Sequence, residues 1–532
     1  MDASFQRKLS ENWKSGLTVA LVSIPLSISL AVASNTSPVV GIITAIWAGL
    51  IASLFGGSNY NIIGPTGALS GMLFLYTKLY GPACLPMLAI LSGVFIFIGF
   101  LLRFEKYLIF IPGSALHGLI LGIAIMIMLT QVNAAFGLPD FPQQAHLIHN
   151  VVESFRHITL ISWPAFFIFL VTLTGLLLCG RVTERLPGTV LLAPFCILAG
   201  YLCSQGMLPW SIQTLGSTFG TIKPVFFQFP RFVFYYSYMV PAFSIASIAI
   251  METMISARIA DGMTRTKHNK RRELMGLSLA NIGSGLAGGI PATAALARTS
   301  LNIKSGGTDK ISATICSLSV AAISFLLLSF FQYIPMASIA AILVFVSIRM
   351  VEAEHFVRMF RIDRKNFVLS LVVAGVTVYE DPIVGILLGA LVAMLLFMER
   401  LSKGYHEIVI NKTATEAPKT EPQAETTLVY AVKGSLAYIN AQSHIARLEE
   451  TPAVYKNVIL DLRNVYFIDL DGVEAFGDMV HVLESKGKRV FVAGFDPMVE
   501  QLLNEGTILA TLKKNGRVFS TVADAVKTAS IS

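Results

Sequence analysis

The chain has 532 residues, of which 14% are charged and 54% apolar, against roughly 25% charged residues in an ordinary soluble protein. That deficit excludes a purely soluble globule. The net charge of +8 raises the question of a nucleic-acid partner, but its placement in short groups between apolar runs answers it as membrane topology.

In chain order, residues 1–13 are polar and run directly into the first apolar stretch, so no cleavable signal peptide is expected. Spans are expected to start near residues 14, 38, 66, 84, 107, 158 and 188, then 237, 273, 292, 308, 336, 366 and 382. Residues 158–180 carry no charge and are long enough for the roughly 30 Å hydrocarbon core. Residues 311–348 are too long for one span, and Tyr333-Ile334-Pro335 divides them. With a cytoplasmic N-terminus, the inner side receives most cations, among them Arg7, Lys8, Lys14, Arg265, Lys267, Lys270, Arg271, Arg272, Arg358, Arg361, Arg364 and Lys365. The outer side receives Lys78, Arg156, Lys223 and Arg231, which is the positive-inside asymmetry.

The third and tenth spans are too short to cross as helices. One opens at Gly64-Pro65-Thr66-Gly67-Ala68 and the other at Gly288-Gly289-Ile290-Pro291-Ala292-Thr293-Ala294-Ala295. They occupy matching places in two halves of seven spans, and an odd number per half makes the halves inverted repeats. Paired broken spans in an inverted repeat point to a transporter's binding site, since non-helical backbone at mid-membrane is tolerated where it is buried or lines a cavity. The plainer alternative is that Pro65 and Pro291 only kink packed helices.

A helix starting at mid-membrane presents unpaired N–H groups and about half a positive charge to whatever precedes it. Thr66 and Thr293 offer hydroxyls; Gly67, Ala68, Ala294 and Ala295 are small enough for an anion to reach the backbone. Arg298 is expected about two turns into the tenth span. It either serves the site or snorkels toward the surface near Lys304. Glu252 lies within the eighth span, with Ser256 four residues on and on the same helix face. A carboxylate beside an anion site repels the anion unless a proton or a cation neutralises it, which is a basis for coupled transport. Burial and a nearby Arg298 pull its protonation in opposite senses, and a structural Glu252–Arg298 ion pair is the alternative role.

Residues 411–426 are polar and contain Pro, and read as a linker. Beyond them, strands at 428–432, 458–462 and 489–493 alternate with helices near 440–450, 472–486 and 496–504, implying a small α/β domain. Cys84, Cys179, Cys196, Cys203 and Cys316 lie in or beside apolar runs without a CxxC pair, and read as packing residues rather than metal or redox ligands. No GxxxxGK[ST] run is present, which argues against ATP-driven transport.

At Gly64-Pro65-Thr66, Asp261-Gly262-Met263-Thr264, Lys267-His268, Glu273-Leu274, Ala280-Asn281-Ile282 and the run from Gly288 to Arg298, the chain resembles the SulP anion permeases, the sulfate permease and prestin group, most closely its bacterial branch. The region after the linker resembles a STAS domain at Val458 to Leu462 and Phe467-Ile468-Asp469-Leu470-Asp471-Gly472. The resemblance implies a polytopic α-helical fold with a seven-plus-seven inverted repeat, fourteen spans and two half-helices. The transport domain would cover residues 1–410, the linker 411–426 and a cytoplasmic α/β STAS domain 427–532. It implies a core of spans 1–4 and 8–11 moving against a gate of spans 5–7 and 12–14, and a homodimer in the inner (plasma) membrane. Substrate would lie between the starts of spans 3 and 10, near Pro25 and Leu26. Glu252, with Ser256, falls at the acidic position used for cation coupling. Glutamate there resembles proton-coupled relatives and aspartate sodium-coupled ones. Leu26 and Ala297 replace polar residues common in the family, which leaves sulfate, bicarbonate and dicarboxylate all open. Asp471 replaces the phosphorylatable serine of many STAS relatives, so no phospho-switch is expected there.

The expectation is therefore a secondary active carrier of small inorganic or carboxylate anions, not an enzyme, without cofactor, coupled to H+ or Na+. An anion exchanger, a channel or a membrane-tethered signalling protein are the alternatives.

Overall fold

The computed structural model describes residues 3–106, 113–139, 141, 147–182, 188–230, 232–351, 353–380, 382–402, 405–410, 427–504 and 507–531. It comprises two compact units, Met1–Leu391 and Val392–Ser532. The linker expected at 411–426 lies outside the described residues.

The first unit is built of helices: α1 (Ala3–Ala33), α2 (Pro38–Phe55), α3 (Gly67–Tyr80), α4 (Leu85–Leu101), α5 (Gly113–Thr130), α6 (Val132–Phe136), α7 (Leu147–Arg156), α8 (Trp163–Val182), α9 (Gly188–Ser204), α10 (Leu215–Phe219), α11 (Met239–Thr264), α12 (Lys270–Leu286), α13 (Leu296–Lys304), α14 (Ile311–Leu327), α15 (Met336–Met350), α16 (Ala353–Ile362), α17 (Arg364–Tyr379) and α18 (Pro382–Ser402), the last carrying the chain into the second unit. Setting aside the short α6, α7, α10 and α16 leaves fourteen, at the positions expected of the fourteen spans. Among the described residues, seven helical stretches are long and apolar enough to cross a bilayer by length and composition alone. Local chemistry sets several boundaries. Pro38 opens α2, where a missing N–H costs nothing. Asn269 accepts from Arg272 N at 2.9 Å to cap α12, and Asp363 accepts from Asn366 N at 3.2 Å to cap α17.

Two strands of two residues each interrupt the helical order. β1 (Ile63–Gly64) precedes α3 and β2 (Thr293–Ala294) precedes α13. They pair antiparallel, Ile63 opposite Ala294 and Gly64 opposite Thr293. The packing is pseudo-twofold. Exchanging the first seven spans for the last seven turns the α1–α14 contact into α11–α4, α2–α14 into α12–α4, and α5–α17 into α15–α8, and all six are present. Close crossings come from small residues, as in other membrane bundles. A Cβ on Gly93 of α4 would lie 2.9 Å from Ser278 O of α12, and one on Gly118 of α5 would lie 2.4 Å from Ser370 O of α17.

The second unit holds a five-stranded sheet: β3 (Tyr405–Ile410), β4 (Thr427–Leu436), β5 (Asn457–Ile468), β6 (Arg489–Ala493) and β7 (Val518–Phe519), in that spatial order. β3 runs antiparallel to β4; the remaining neighbours are parallel. With it go α19 (Tyr438–Glu449), α20 (Leu470–Ser485), α21 (Pro497–Asn504), α22 (Thr507–Lys514) and α23 (Val522–Ile531). Leu428, Tyr430, Val432, Val458, Leu460, Val490 and Val492 pack under α19, α20 and α21, while Val429, Ile459, Phe491 and Ala493 pack under α23. Burial of both faces explains why the central strands read as continuous apolar runs. β3 belongs to this sheet although the sequence boundary was set at residue 410. Asp469 is the N-cap of α20 and accepts from Gly472 N at 2.8 Å, while Asp471 sits in the first turn, where its charge favours the helix.

Candidate functional site

The antiparallel pairing of β1 with β2 brings the starts of α3 and α13 to one place in mid-bundle. Both starts lack a side-chain cap. Thr66 precedes α3 and Ala295 precedes α13, and neither side chain bonds its own helix. The first intrahelical bonds are Ser70 N to Thr66 O and Thr299 N to Ala295 O. The N–H groups of 67–69 and 296–298 therefore keep their hydrogen-bonding capacity, the arrangement that favours an anion.

Thr66 does not cap α3 because its hydroxyl donates to Glu252 Oε2 at 3.0 Å. Glu252 comes from the middle of α11 and is partly buried. Arg298 is 2% exposed, so it does not snorkel. Its Nη2 donates to Pro65 O, and its Nη1 lies where a Cβ on Gly64 would be, 2.6 Å away. Gly64 is thus needed for the guanidinium to lie against the backbone of β1. Arg298 Nε is buried without a protein partner. Glu252 and Arg298 interact electrostatically across the site, yet no ion pair joins them among the described residues: the carboxylate accepts from Thr66 and the guanidinium donates to Pro65. The placement of Arg298 corrects the sequence reading. Because Thr293 and Ala294 are in β2, α13 begins only at Leu296, and Arg298 stands in its first turn rather than two turns in.

The other expected residues divide into two groups. Thr66, Gly67, Ala68 and Arg298 converge at the helix starts, with Ala295 partly exposed beside them. Pro25 and Leu26 are buried in the C-terminal third of α1, which packs on both α3 and α13. Thr293, Ala294 and Ser256 instead face inward to structural partners. Thr293 Oγ1 donates to Ala249 O at 3.1 Å and lies 2.8 Å from Thr253 Oγ1, and Ala294 N donates to Thr253 Oγ1 at 3.2 Å. Ser256 shares a helix face with Glu252 but does not bond it. Its hydroxyl reaches Asn61 Oδ1 and Thr299 Oγ1, both at 3.1 Å.

Sequence reasoning noted Glu273 and Asn281 as motif matches but missed that they hold this frame. Glu273, 2% exposed, accepts from Gly57 N, Ser58 N and Asn61 Nδ2, each at 2.7 Å. Asn281 Oδ1 accepts from Ala292 N at 2.9 Å and its Nδ2 donates to Ala292 O at 2.9 Å, so one amide satisfies both polar groups of a non-helical residue. For Asn281 the available signal was a polar side chain deep in the helix after its charged first turn, which is costly unless it is bonded.

Packing around the site is lopsided. α3 packs on α5 and α1 on α15, but their pseudo-twofold counterparts, α13 with α15 and α11 with α5, make no comparable contact among the described residues. Gly67 is closed over by Met350 of α15 and Ile127 of α5, at 2.9 and 3.2 Å from the position of a Cβ, whereas Ala297 at the start of α13 is exposed. The site is therefore covered on the α3 side and open on the α13 side.

Comparison with known proteins agrees with this architecture. The Sulfate permease family model matches residues 9–373 and the STAS domain model residues 418–525. A putative sulfate transporter of Bacillus subtilis, YvdB, is 29% identical over 504 residues, covering 94% of each chain. The bicarbonate transporter BicA of Picosynechococcus is 24% identical over 502 residues, covering 90% of this chain and 87% of its own. Among solved structures, the murine Slc26a9 anion transporter in the inward-facing state superposes with a TM-score of 0.81 at 16% identity, over 98% of this chain and 92% of that one. Uncapped half-helices meeting through a two-stranded sheet, the repeat and the appended, mostly parallel sheet thus coincide with a match over most of the length: the chain belongs to the sulfate permease family.

Proposed function

We propose that this protein is a secondary active carrier of a small inorganic or carboxylate anion, working as a proton symporter. The observation that carries the reading is the hydrogen bond from Thr66 to Glu252 at the uncapped start of α3. The relatives named sulfate and bicarbonate transporters supply the substrate class. An anion between the starts of α3 and α13 replaces the missing caps, and Arg298 contributes its charge from behind β1. Glu252 stands one hydroxyl away from that anion. While ionised it repels the anion and holds Thr66 as a donor; protonation removes the repulsion and frees Thr66 to turn toward the substrate. Proton and anion then bind best together, which is the condition for symport.

In this reading α1–α4 with α11–α14 form a core, α5, α8, α9, α15, α17 and α18 form a gate, and the core slides as an elevator. The open side at α13 faces the cytoplasm, where the N-terminus and the STAS domain also lie, in the inner membrane of a homodimer. The linker remains assigned to 411–426. A sodium-coupled carrier is the second reading, favoured by the hydroxyls of Thr66 and Thr293 beside Glu252, which suit a hard cation.

The test is uptake of labelled sulfate, bicarbonate and fumarate into proteoliposomes, with and without an inward proton gradient. One anion is expected to accumulate only with the gradient, and Glu252→Gln to abolish the gradient's effect. Uptake driven by sodium alone would select the second reading, and uptake indifferent to both gradients and to Glu252→Gln would refute coupling at Glu252.

A further inference from the structure

Of the four short helices set aside from the spans of the first unit, α7 and α16 are the longer two. α7 and α16 are ten residues each, too short to span, and both segregate apolar from polar residues, as helices lying in a membrane interface do. Seven crossings separate them: α8, α9, α11, α12, β2 with α13, α14 and α15. They therefore lie on opposite membrane faces, an inference that rests on the transmembrane reading but not on any substrate.

Their charges differ. On α7, Arg156 Nη1 pairs with Glu153 Oε2 at 3.3 Å, leaving the helix locally neutral. α16 carries Arg358 and Arg361, both exposed and without an ion pair among the described residues, and Arg364 and Lys365 follow in the first turn of α17. The sequence places three acids nearby, Glu352, Glu354 and Asp363; Glu352 lies outside the described residues, Asp363 is engaged as the cap of α17, and Glu354 is exposed.

The orientation of α16 is fixed from its other side. The His355 ring stacks on His117 of α5 at 3.7 Å, Phe356 meets His117 edge-on at 6.4 Å, and Met359 Sδ accepts from Ser370 Oγ of α17 at 3.8 Å. The remaining apolar residues are half or more exposed, Val357 at 52%, Phe360 at 51% and Ile362 at 79%, with Phe360 meeting the Phe367 ring of α17 edge-on at 5.2 Å. At about 100° per residue, Val357 and Phe360 form an apolar strip with Arg361 and then Arg358 along its edge. The Arg364 guanidinium lies 5.7 Å from the Phe360 ring, at the end of that strip.

We propose that α16, with the first turn of α17, is an in-plane binding site for anionic phospholipid. Val357 and Phe360 enter the acyl boundary, and Arg358, Arg361 and Arg364 hold headgroup phosphates. The guanidinium fork suits phosphate, which accepts two parallel N–H bonds. Charge complementarity selects this occupant: the cation-rich face of the membrane carries an exposed apolar strip edged by guanidinium groups, while the opposite face carries the neutral α7.

The test uses the full chain in nanodiscs of phosphatidylcholine with phosphatidylglycerol, followed by mild extraction and native mass spectrometry of retained lipid. The wild type is expected to retain phosphatidylglycerol in preference to phosphatidylcholine. R358Q/R361Q/R364Q is expected to lower that retention about fivefold per cation, from roughly 1 kcal/mol per basic residue at an anionic surface. V357S/F360S should lower it with all charges intact, and R156Q on α7 should leave it unchanged. Equal retention by the triple variant overturns the proposal and leaves another segment or a second copy as the cover of α16. Loss caused equally by R156Q, or displacement by millimolar inorganic phosphate, also overturns it. Thermal unfolding of each variant separates lost binding from lost fold. Anion uptake measured on the same preparations keeps the two readings apart: lipid retention that tracks the three arginines stands even where no anion is transported.

Discussion

The two arms that lead into the half-helices occupy equivalent places in the repeat and are held by different chemistry. The first arm, residues 57–66, is tied by ionisable side chains: Glu273 at Gly57, Ser58 and Asn61, Arg298 at Pro65, and Glu252 at Thr66. The second arm, residues 288–295, is tied by neutral ones. Thr44 Oγ1 accepts from Ile290 N at 2.8 Å, Ser284 Oγ donates to Ile290 O at 2.7 Å, Asn281 brackets Ala292, and Thr253 receives Ala294 N. The contrast shows how an inverted repeat acquires direction. Both arms satisfy their backbone in a dry environment, but among the described residues charged side chains bond the backbone of the first arm only, while Glu252 at Thr66 also interacts with Thr293 of the second.

Glu273→Ala gives the largest expected effect. It orphans two backbone N–H groups and takes one acceptor from the Asn61 amide, which keeps Thr253 O; at about 1–2 kcal/mol per lost bond the loss is about 3–6 kcal/mol, read from thermal unfolding in detergent. A loss below that of Asn281→Ala would break the comparison.

Asn281→Ala removes one acceptor and one donor from Ala292, for about 2–3 kcal/mol. Because the second arm is neutral, that loss should not depend on pH between 5 and 8; a pH-dependent loss would assign it a charged partner.

Gly64→Ala and Gly289→Ala sharpen the contrast, since both sites are closed. The added Cβ would lie 2.6 Å from Arg298 Nη1 in the first arm, and 2.5 Å from Ser284 Oγ in the second. Each should cost about 1–3 kcal/mol by overpacking. Only Gly64→Ala, which pushes on Arg298, should raise the KM for the anion, and equal KM values for both variants would count against Arg298 as the charge behind the site.

Glu252→Gln retains an acceptor for Thr66 and should change stability by less than about 1 kcal/mol, while removing the dependence of uptake on the proton gradient. In the second unit, where Asp469 already caps α20, phosphate mapping of residues 466–476 is expected to find none; a phosphorylated residue there would reinstate a switch.

Much of the fold was legible in the sequence for a physical reason. A bilayer demands about 20 apolar residues per crossing helix, so uncharged runs, the Tyr333-Ile334-Pro335 break and the positive-inside pattern located fourteen spans without any contact information. Pro65 and Pro291 marked the arms, because proline and glycine at mid-membrane signal backbone that is not helical. The central strands of the STAS sheet were legible because both faces are buried. β3 and β7 were not, since strands at the edges of the sheet carry a weaker apolar signal.

The site was legible as a set of residue types but not as a set of partners. Sequence placed Glu252, Thr66 and Arg298 near each other without saying that Thr66 would bond Glu252 while Arg298 bonds backbone. It set Ser256 beside Glu252 by helical spacing, yet Ser256 turns to Asn61 and Thr299. Glu273 gave no signal beyond a motif match, because a glutamate in the first turn of a helix is ordinary until its burial is known.

The sequence by itself determined the number of crossings, the pair of broken spans and the appended α/β domain, since those follow from periodicity and the cost of polar backbone in lipid. Only the tertiary structure decided that α13 starts at Leu296, that Arg298 lies against Gly64, and that one arm is held by charges and the other by amides and hydroxyls. Those outcomes depend on which donor meets which acceptor across more than two hundred residues of chain, and hydrogen-bond geometry of that kind leaves no periodic mark on the sequence.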